Sequence, residues 1–303
     1  MKRIVRFLHS SSRFSVSAGF IALFILAATA LSAQDEEATG KDTRPVRNTF
    51  ESIWLIDNQT VMVPIKGTFE FDINHRFGVI NEQKYDDFYG IFAPSNIRLG
   101  VNYVPAEKFQ IGFGFTKENN MIDFNAKYAI FQQGRSGGSP VSVTYLGFAA
   151  VDTGNKRNTQ SKFDEGTDRL SYFHQLMVAR KITNAFSLQA SANLSWFNFK
   201  ELQADDKGFF SADKNAQYSA SFLGRYKFSP TMAVIANFDV PLSEQEFTDN
   251  KANISFGLEM VSSSHAFQIF LGNYKSILPQ YNNSFSTNSD FLIGFNMTRL
   301  WNF

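Results

Sequence analysis

The chain has 303 residues, 34 of them Phe, with 3 Trp, no Cys, a formal charge of +1 and 19% charged residues, against roughly 25% in an ordinary soluble domain. The lack of Cys excludes disulfide scaffolds, thiol chemistry, thiolate-bound metals and a lipidated cysteine. An aromatic content of 16% argues against disorder, and near-neutral charge gives no basis for binding nucleic acid.

Mean hydropathy is nonetheless −0.20, so the chain is rich in Phe yet polar on average. At its start, Lys2, Arg3, Arg6 and Arg13 precede a small-residue apolar run over 18–31 and a Leu31-Ser32-Ala33 cleavage site, with a second acceptable cut after Ala30. This is the pattern of a secretory signal peptide, residues 1–33, too short for the ~20 residues of a spanning helix. Its removal leaves 25 basic against 28 acidic groups. Residues 34–48 are charged and aperiodic. Residues 50–64 (FESIWLIDNQTVMVP) are too apolar for a linker and too irregular for a strand.

From residue 65 onward the dominant period is two, that of a strand with unlike faces. Phe69, Phe71 and Ile73 alternate with Glu70, Asp72 and Asn74; Ile97, Leu99, Val101 and Tyr103 with Arg98, Gly100 and Asn102. Phe109, Ile111, Phe113 and Phe115 alternate with Gln110, Gly112 and Gly114, after a Pro-containing turn at 105–108 that makes a hairpin. The same pattern runs through Ile122–Ile130 positions (Ile122, Phe124, Ala126, Tyr128, Ile130), Val141 to Tyr145, Leu170 to Val178, Phe186 to Trp196, Tyr218 to Phe228, Ile254 to Met260, Phe267 to Leu271 and Phe291 to Phe303. The segment 232–240 is a strand of weak pattern, and its register stays open. Twelve strands result, joined by short connections alternating with generally longer ones, and roughly 22 residues per strand suits ~10-residue membrane strands.

Alternation alone does not say which face points out. A soluble sandwich hides its apolar face; a transmembrane barrel turns it to lipid. Aromatics near strand ends (Tyr103, Phe109, Phe186, Phe228, Phe267), a final strand that would otherwise be an open edge, and the signal peptide favour an all-β, transmembrane, antiparallel up-and-down barrel over 65–303 in the outer membrane. Residues 34–64 then form a periplasmic segment. Burial of Trp54, Leu55 and Ile56 makes it a plug, a strap at the periplasmic mouth or an added strand. Phe295, Met297, Trp301 and Phe303 have the alternation of an assembly signal read by the barrel assembly machinery, which puts the short turns in the periplasm; Arg299 interrupts it and can snorkel.

Four stretches, RPVRNTFESIWLIDNQTVMVP (44–64), KGTFEFDINHRFG (66–78), FAPSNIRLGVNYV (92–104) and IGFGFTKENN (111–120), resemble a family of secreted β-barrel proteins of Bacteroidota catalogued as a domain of unknown function. The resemblance implies an outer-membrane barrel and carries over no activity, substrate or catalytic residue.

The lumen face is expected to carry Glu70, Asp72, Arg76, Arg98, Asp123, Lys127, Arg225, Lys227 and Glu259. They either neutralise one another in a filled barrel or line a water-filled pore and bias its selectivity. An Arg98–Glu70 pair across adjacent strands is expected, with Gly100, Gly112 and Gly114 making room or allowing bending. His75 and His174 share parity with lipid-facing residues and His265 falls in a turn; no metal spacing, cofactor motif or nucleophile motif is present, since Ser171 and His174 have opposite parity. The acidic loops 151–169 (Asp152, Asp164, Glu165, Asp168) and 200–214 (Glu201, Asp205, Asp206, Asp213) lack an EF-hand ladder and read as solvated, while Phe209-Phe210 is an exposed pair that folds inward or meets a partner. The functional expectation is a narrow channel for small polar solutes; the rivals are a non-conducting structural or docking barrel with periplasmic partners, and, third, a barrel enzyme.

Overall fold

The computed structural model describes residues 41–81, 85–154, 165–199, 203–204, 210–211, 215–243, 249–287 and 290–302. The signal-peptide segment lies outside them. A short hairpin comes first, β1 (Trp54–Leu55) and β2 (Asn58–Gln59). Then follow β3 (Thr68–Val79), β4 (Asn96–Ala106), β5 (Phe109–Thr116), β6 (Met121–Phe131), β7 (Ser142–Val151), β8 (Leu170–Lys181) and β9 (Phe186–Phe197). A second short hairpin, β10 (Gln203–Ala204) with β11 (Phe210–Ser211), precedes β12 (Ala216–Lys227), β13 (Met232–Pro241), β14 (Asn253–Val261), β15 (His265–Gly272) and β16 (Leu292–Asn302).

The twelve long strands close into one antiparallel barrel in which each pairs with its sequence neighbours, β9 pairs with β12, and β16 pairs with β3. Closure runs from Leu292 opposite Val79 to Asn302 opposite Thr68, with one irregularity at Leu292/Gly294. None of the twelve barrel strands is left as an edge, which an open sheet would otherwise have to protect. One end of the barrel carries the short turns 107–108, 132–141, 182–185, 228–231 and 262–264; the other carries the remaining connections.

Burial resolves the direction of the faces. Phe113, Phe124, Tyr128, Tyr145, Leu176, Trp196, Tyr218, Phe256, Leu258 and Ile269 are all exposed on the outside. Glu70, Asp72, Arg98, Asp123, Lys127, Gln175, Gln189, Asn296 and Glu259 are at most 2% exposed and point inside. A soluble sandwich would have the opposite arrangement, so the outer belt matches a lipid-facing surface. β13 takes the register Ala233, Ile235, Asn237 and Asp239 inward with Val234 and Phe238 outward. Its weak pattern has a physical cause: Ile235 is apolar on the inner face because it joins a core inside the lumen.

Candidate functional site

The inner wall forms three charged groups. In the first, Arg98 holds Asp72 at 2.7 Å and Asp123 at 2.8 Å, all three side chains fully buried. The Arg98–Glu70 pair expected from sequence does not form. In the β3/β4 register Asn74 lies opposite Arg98, Asp72 opposite Gly100 and Glu70 opposite Asn102, so Asp72 is one diagonal step from the guanidinium and Glu70 two. Glu70 instead accepts from Asn102 Nδ2 at 3.3 Å. The glycines make room: a Cβ on Gly114 would sit 2.3 Å from Arg98 Nη2, and one on Gly100 would sit 2.4 Å from Arg98 Nη1. Gly112 does the same for Asn102 and Asn125.

The second group joins Arg225 to Glu259 at 2.5 Å, and Gln268 Nε2 donates to the other carboxylate oxygen at 3.1 Å. The third is Arg76, whose carboxylate partner Asp57 comes from the N-terminal segment rather than from the wall. Lys127 is fully buried and donates to the Thr60 carbonyl at 3.3 Å. Lys227, at the end of β12, is half-buried at the short-turn rim. Pairing is what permits such charges away from water, since an isolated one is costly.

Residues 50–62 lie within the barrel. They enter at the short-turn mouth, where a cavity of about 500 Å³ is lined by strap residues Pro45 and Val46, returning residues Val63 and Pro64, and the wall residues Gln133 and Trp301. The chain turns at Ile56-Asp57 between β1 and β2 and comes back out. Ile56 has φ of 58°, strained for a β-branched residue; the side chain is fully buried, and that burial offsets the strain. β1 and β2 pair with each other and with no barrel strand.

The hairpin's open backbone edges are satisfied by amide side chains of the wall, as buried peptide groups require. Gln268 accepts from Ile56 N at 3.0 Å and donates to Trp54 O at 2.8 Å. Gln189 does the equivalent for Val61 N and Gln59 O, both at 2.9 Å. Asn296 donates to Ile56 O at 2.6 Å, and Thr144 to Val61 O at 2.9 Å. Asn58 donates to Asn237 and Asp239 and accepts from Gln175. On the apolar side, Phe50, Leu55, Ile56 and Val61 pack with wall residues Leu146, Phe148, Phe173, Met177, Leu223, Ile235 and Phe270. Trp54 lies under Arg98, 5.3 Å from the guanidinium carbon.

From the opposite end, the β15–β16 connection folds inward. Its helix α1 (Pro279–Ser284) starts with Pro at a favoured first position. Gln280 donates to Ser171 Oγ at 3.1 Å, Asn283 accepts from Ser219, and the carbonyls of Asn282 and Asn283 accept from Asn253 and Asn250. Tyr274 and Leu278 join the same apolar cluster as Leu55 and Ile56. The lumen is thus occupied from both mouths.

The three described histidines lie on the outer face or its rim. His174 Nδ1 is 2.6 Å from the Tyr145 hydroxyl on the outer face, while Ser171 is buried inside. His75 packs edge-on against Phe77. His265 is the first residue of β15, not a turn residue, and stacks on Phe267. In the acidic loops, Asp152 accepts from Gly154 N, and Glu165 with Asp168 caps a single turn; Asp164, Glu201, Asp205, Asp206, Phe209, Asp213 and the Phe210 side chain lie outside what the structure describes. Phe295, Met297 and Trp301 point outward, Trp301 lying 5.8 Å from Phe69 and 4.6 Å from the Arg299 guanidinium; Phe303 lies outside the described residues. Sequence reading did not single out Asp57, the glutamines Gln175, Gln189 and Gln268, or the inward fold of the β15–β16 connection.

A family model described as a membrane bound beta barrel domain (DUF5777) matches residues 50–301. Among solved structures, an outer membrane channel from Pseudomonas putida F1 is 11% identical, with 79% of this chain and 97% of that chain covered and a TM-score of 0.50. NanC porin is 10% identical over 77% of this chain and 99% of its own, TM-score 0.49; KdgM porin is 10% identical over 77% and 98%, TM-score 0.45. At 11% identity the likeness to the Pseudomonas putida channel is one of fold. No curated protein matches the chain.

Proposed function

The chain belongs to the family of membrane bound β-barrel domains (DUF5777), an outer-membrane barrel, and on that footing we propose that it is a narrow channel for small polar solutes whose 50–62 hairpin is a removable plug. One observation carries this reading. The plug is held by side-chain hydrogen bonds, one ion pair and apolar contacts, but by no strand pairing with the barrel. Withdrawing it would break no rung of the barrel ladder. The wall it would uncover is rich in Gln, Asn, Ser, Arg and Asp, groups that water can solvate. Gln110 and Asn125 are buried on that wall with neither side-chain polar atom bonded to protein, as befits a wall made to meet water or a polar solute.

In this reading the short-turn mouth opens to the periplasm, residues 1–33 direct export, and outward Phe295, Met297 and Trp301 of β16 address the barrel assembly machinery. The outer belt contacts lipid. No catalytic role is assigned, because Ser171 and His174 stand on opposite faces of β8. A second reading has its own support: the apolar cluster shared by plug, wall and the 273–286 segment suits a permanently filled, non-conducting barrel that docks periplasmic proteins.

Deleting 34–64 separates the two. Conductance in planar bilayers and swelling of solute-loaded liposomes are measured on barrel whose folding is checked by heat-modifiable gel migration. Raised conductance is the expected result. Folded barrel that conducts no more than the full chain removes the plug, and folded barrel without any pore removes the channel.

A further inference from the structure

The strap that leads to the plug crosses a recess of about 490 Å³ lined by Val46, Arg47, Arg135, Lys181 and Asn184. Three cations surround it. Arg47 lies three residues before Phe50, at the root of the plug; Arg135 belongs to the β6–β7 turn; Lys181 ends β8 on the wall. The strap is bound to that turn by Val46 N to Gln133 O at 2.8 Å and by Arg135 N to Arg44 O at 3.1 Å.

These cations are incompletely used. Lys181 Nζ donates to the Arg47 carbonyl at 2.7 Å, which occupies one of three N–H groups. Arg135 Nε donates to the Pro45 carbonyl at 3.3 Å, and its fork stands 3.6 Å from Asp42, a carboxylate that Arg44 already takes at 2.7 Å. Among the described residues no carboxylate lies within ion-pair distance of Arg47 or Lys181. Glu51 attracts Lys181 electrostatically but is engaged by Asn48 Nδ2 at 2.7 Å, and Arg225 and Lys227 add further positive potential. Two guanidinium forks and an ammonium around a recess open to water recognise a tetrahedral, multiply accepting anion better than a single carboxylate.

The geometry points to this recess as a binding site for a phosphate group, which joins the root of the plug through Arg47 to the wall through Arg135 and Lys181. The bridging role rests on the plug reading; the binding does not. The phosphate comes either from solution or from the headgroup of an anionic lipid at the rim.

The experiment uses full-length folded barrel. Inorganic phosphate is titrated by calorimetry in zwitterionic detergent, and retention of phosphatidylglycerol against phosphatidylcholine is read by native mass spectrometry. Arg47→Gln with Lys181→Gln is compared with Lys66→Gln, a charge loss at the same rim outside the recess; Arg135→Gln is made separately in case the double variant disturbs the strap. Expected is binding of one or both probes, weakened about tenfold per cation removed and unchanged by Lys66→Gln. Saturable phosphate binding assigns the free anion, and lipid retention alone assigns the headgroup. Absence of both, or affinity that survives every recess variant, overturns the site. In bilayers the bound anion lowers open probability; opening indifferent to an anion that does bind overturns the bridge and leaves the plug to be judged by the 34–64 deletion.

Discussion

Asp57→Ala removes the carboxylate that the plug presents to Arg76 and leaves that guanidinium buried in the wall. Taking away one partner of a buried pair costs about 3–5 kcal/mol. Arg76 keeps the carbonyls of His75 and Ile56, Asn296 Oδ1 and the Phe270 ring at 4.6 Å, so the lower end, about 3 kcal/mol, is expected. With the plug withdrawn, water reaches Arg76, and the penalty therefore falls on the inserted state alone. At 1.4 kcal/mol per decade the withdrawn fraction rises roughly 150-fold. Single-channel recording in planar bilayers reads this as open probability, with gel migration as the folding control. The companion Arg76→Met with Asp57→Leu replaces the pair by apolar groups of similar volume, which is close to neutral, and is expected to close the channel again. Folded Asp57→Ala protein that opens no more often than wild type refutes the role given to the pair, and so does a double replacement that stays open.

Three further outcomes follow from the geometry. Gly114→Ala pushes a methyl group into the Arg98 guanidinium, 2.3 Å away, whereas Gly224→Ala meets only Leu188 at 3.6 Å; the first is expected to lose about 1–3 kcal/mol in denaturant titrations and the second to stay near wild type, and equal values would refute the room-making role of Gly114. Phe124→Arg replaces an exposed ring 5.2 Å from Phe113 on the outer belt and is expected to cost about 2–4 kcal/mol of folding into lipid vesicles if it lies near mid-membrane; insertion at wild-type efficiency would contradict a lipid-facing belt. The Arg44 side chain, hydrogen bonded to Asp42, and Arg135 beyond it hold that carboxyl down at about 2 from 3.8. Arg44 shares the strap with Asp42, so its part of the depression persists when the strap leaves; only the part due to Arg135 on the β6–β7 turn favours the strapped state, fully above about pH 3.8 and lost as pH falls through about 2. Pepsin cleavage near residues 42–46 should rise over that window, more steeply than in Asp42→Asn, and equal profiles would count against it.

The barrel was legible because twelve strands put different chemistry on their two faces, and Ile97, Leu99 and Val101 against Arg98, Gly100 and Asn102 show it with no long-range information. What alternation hides is anything that makes both faces alike. Leu146 and Phe148 in β7, Phe173 and Met177 in β8 and Ile235 in β13 are apolar and inward. Each contacts a core built by the plug, a segment more than eighty residues away in the chain. Runs such as TYLGFAAV, apolar on both parities, are the local trace of that core. The Arg98 partner differs from the expected Glu70 for a related reason: pairing across strands depends on register to the residue, and the choice between Asp72 and Glu70 turns on one diagonal. Asp57 had no local signal as the partner of Arg76, since only the turn of the plug brings the two together.

Both flanks of the hairpin, residues 45–49 and 63–65, sit at the same mouth. The segment is therefore a loop pushed in, not an end threaded through, and it can leave and return without any terminus crossing the wall. Its C-terminal flank leads within a few residues into β3, so a withdrawn plug stays tethered at the rim. In the plug reading, resealing would be a unimolecular event, governed by an effective concentration in the millimolar range for a short tether and independent of how many copies share the membrane. If the hairpin is the plug proposed above, an opening made in this way would be self-limiting, its lifetime set by one chain's return rather than by the encounter of two.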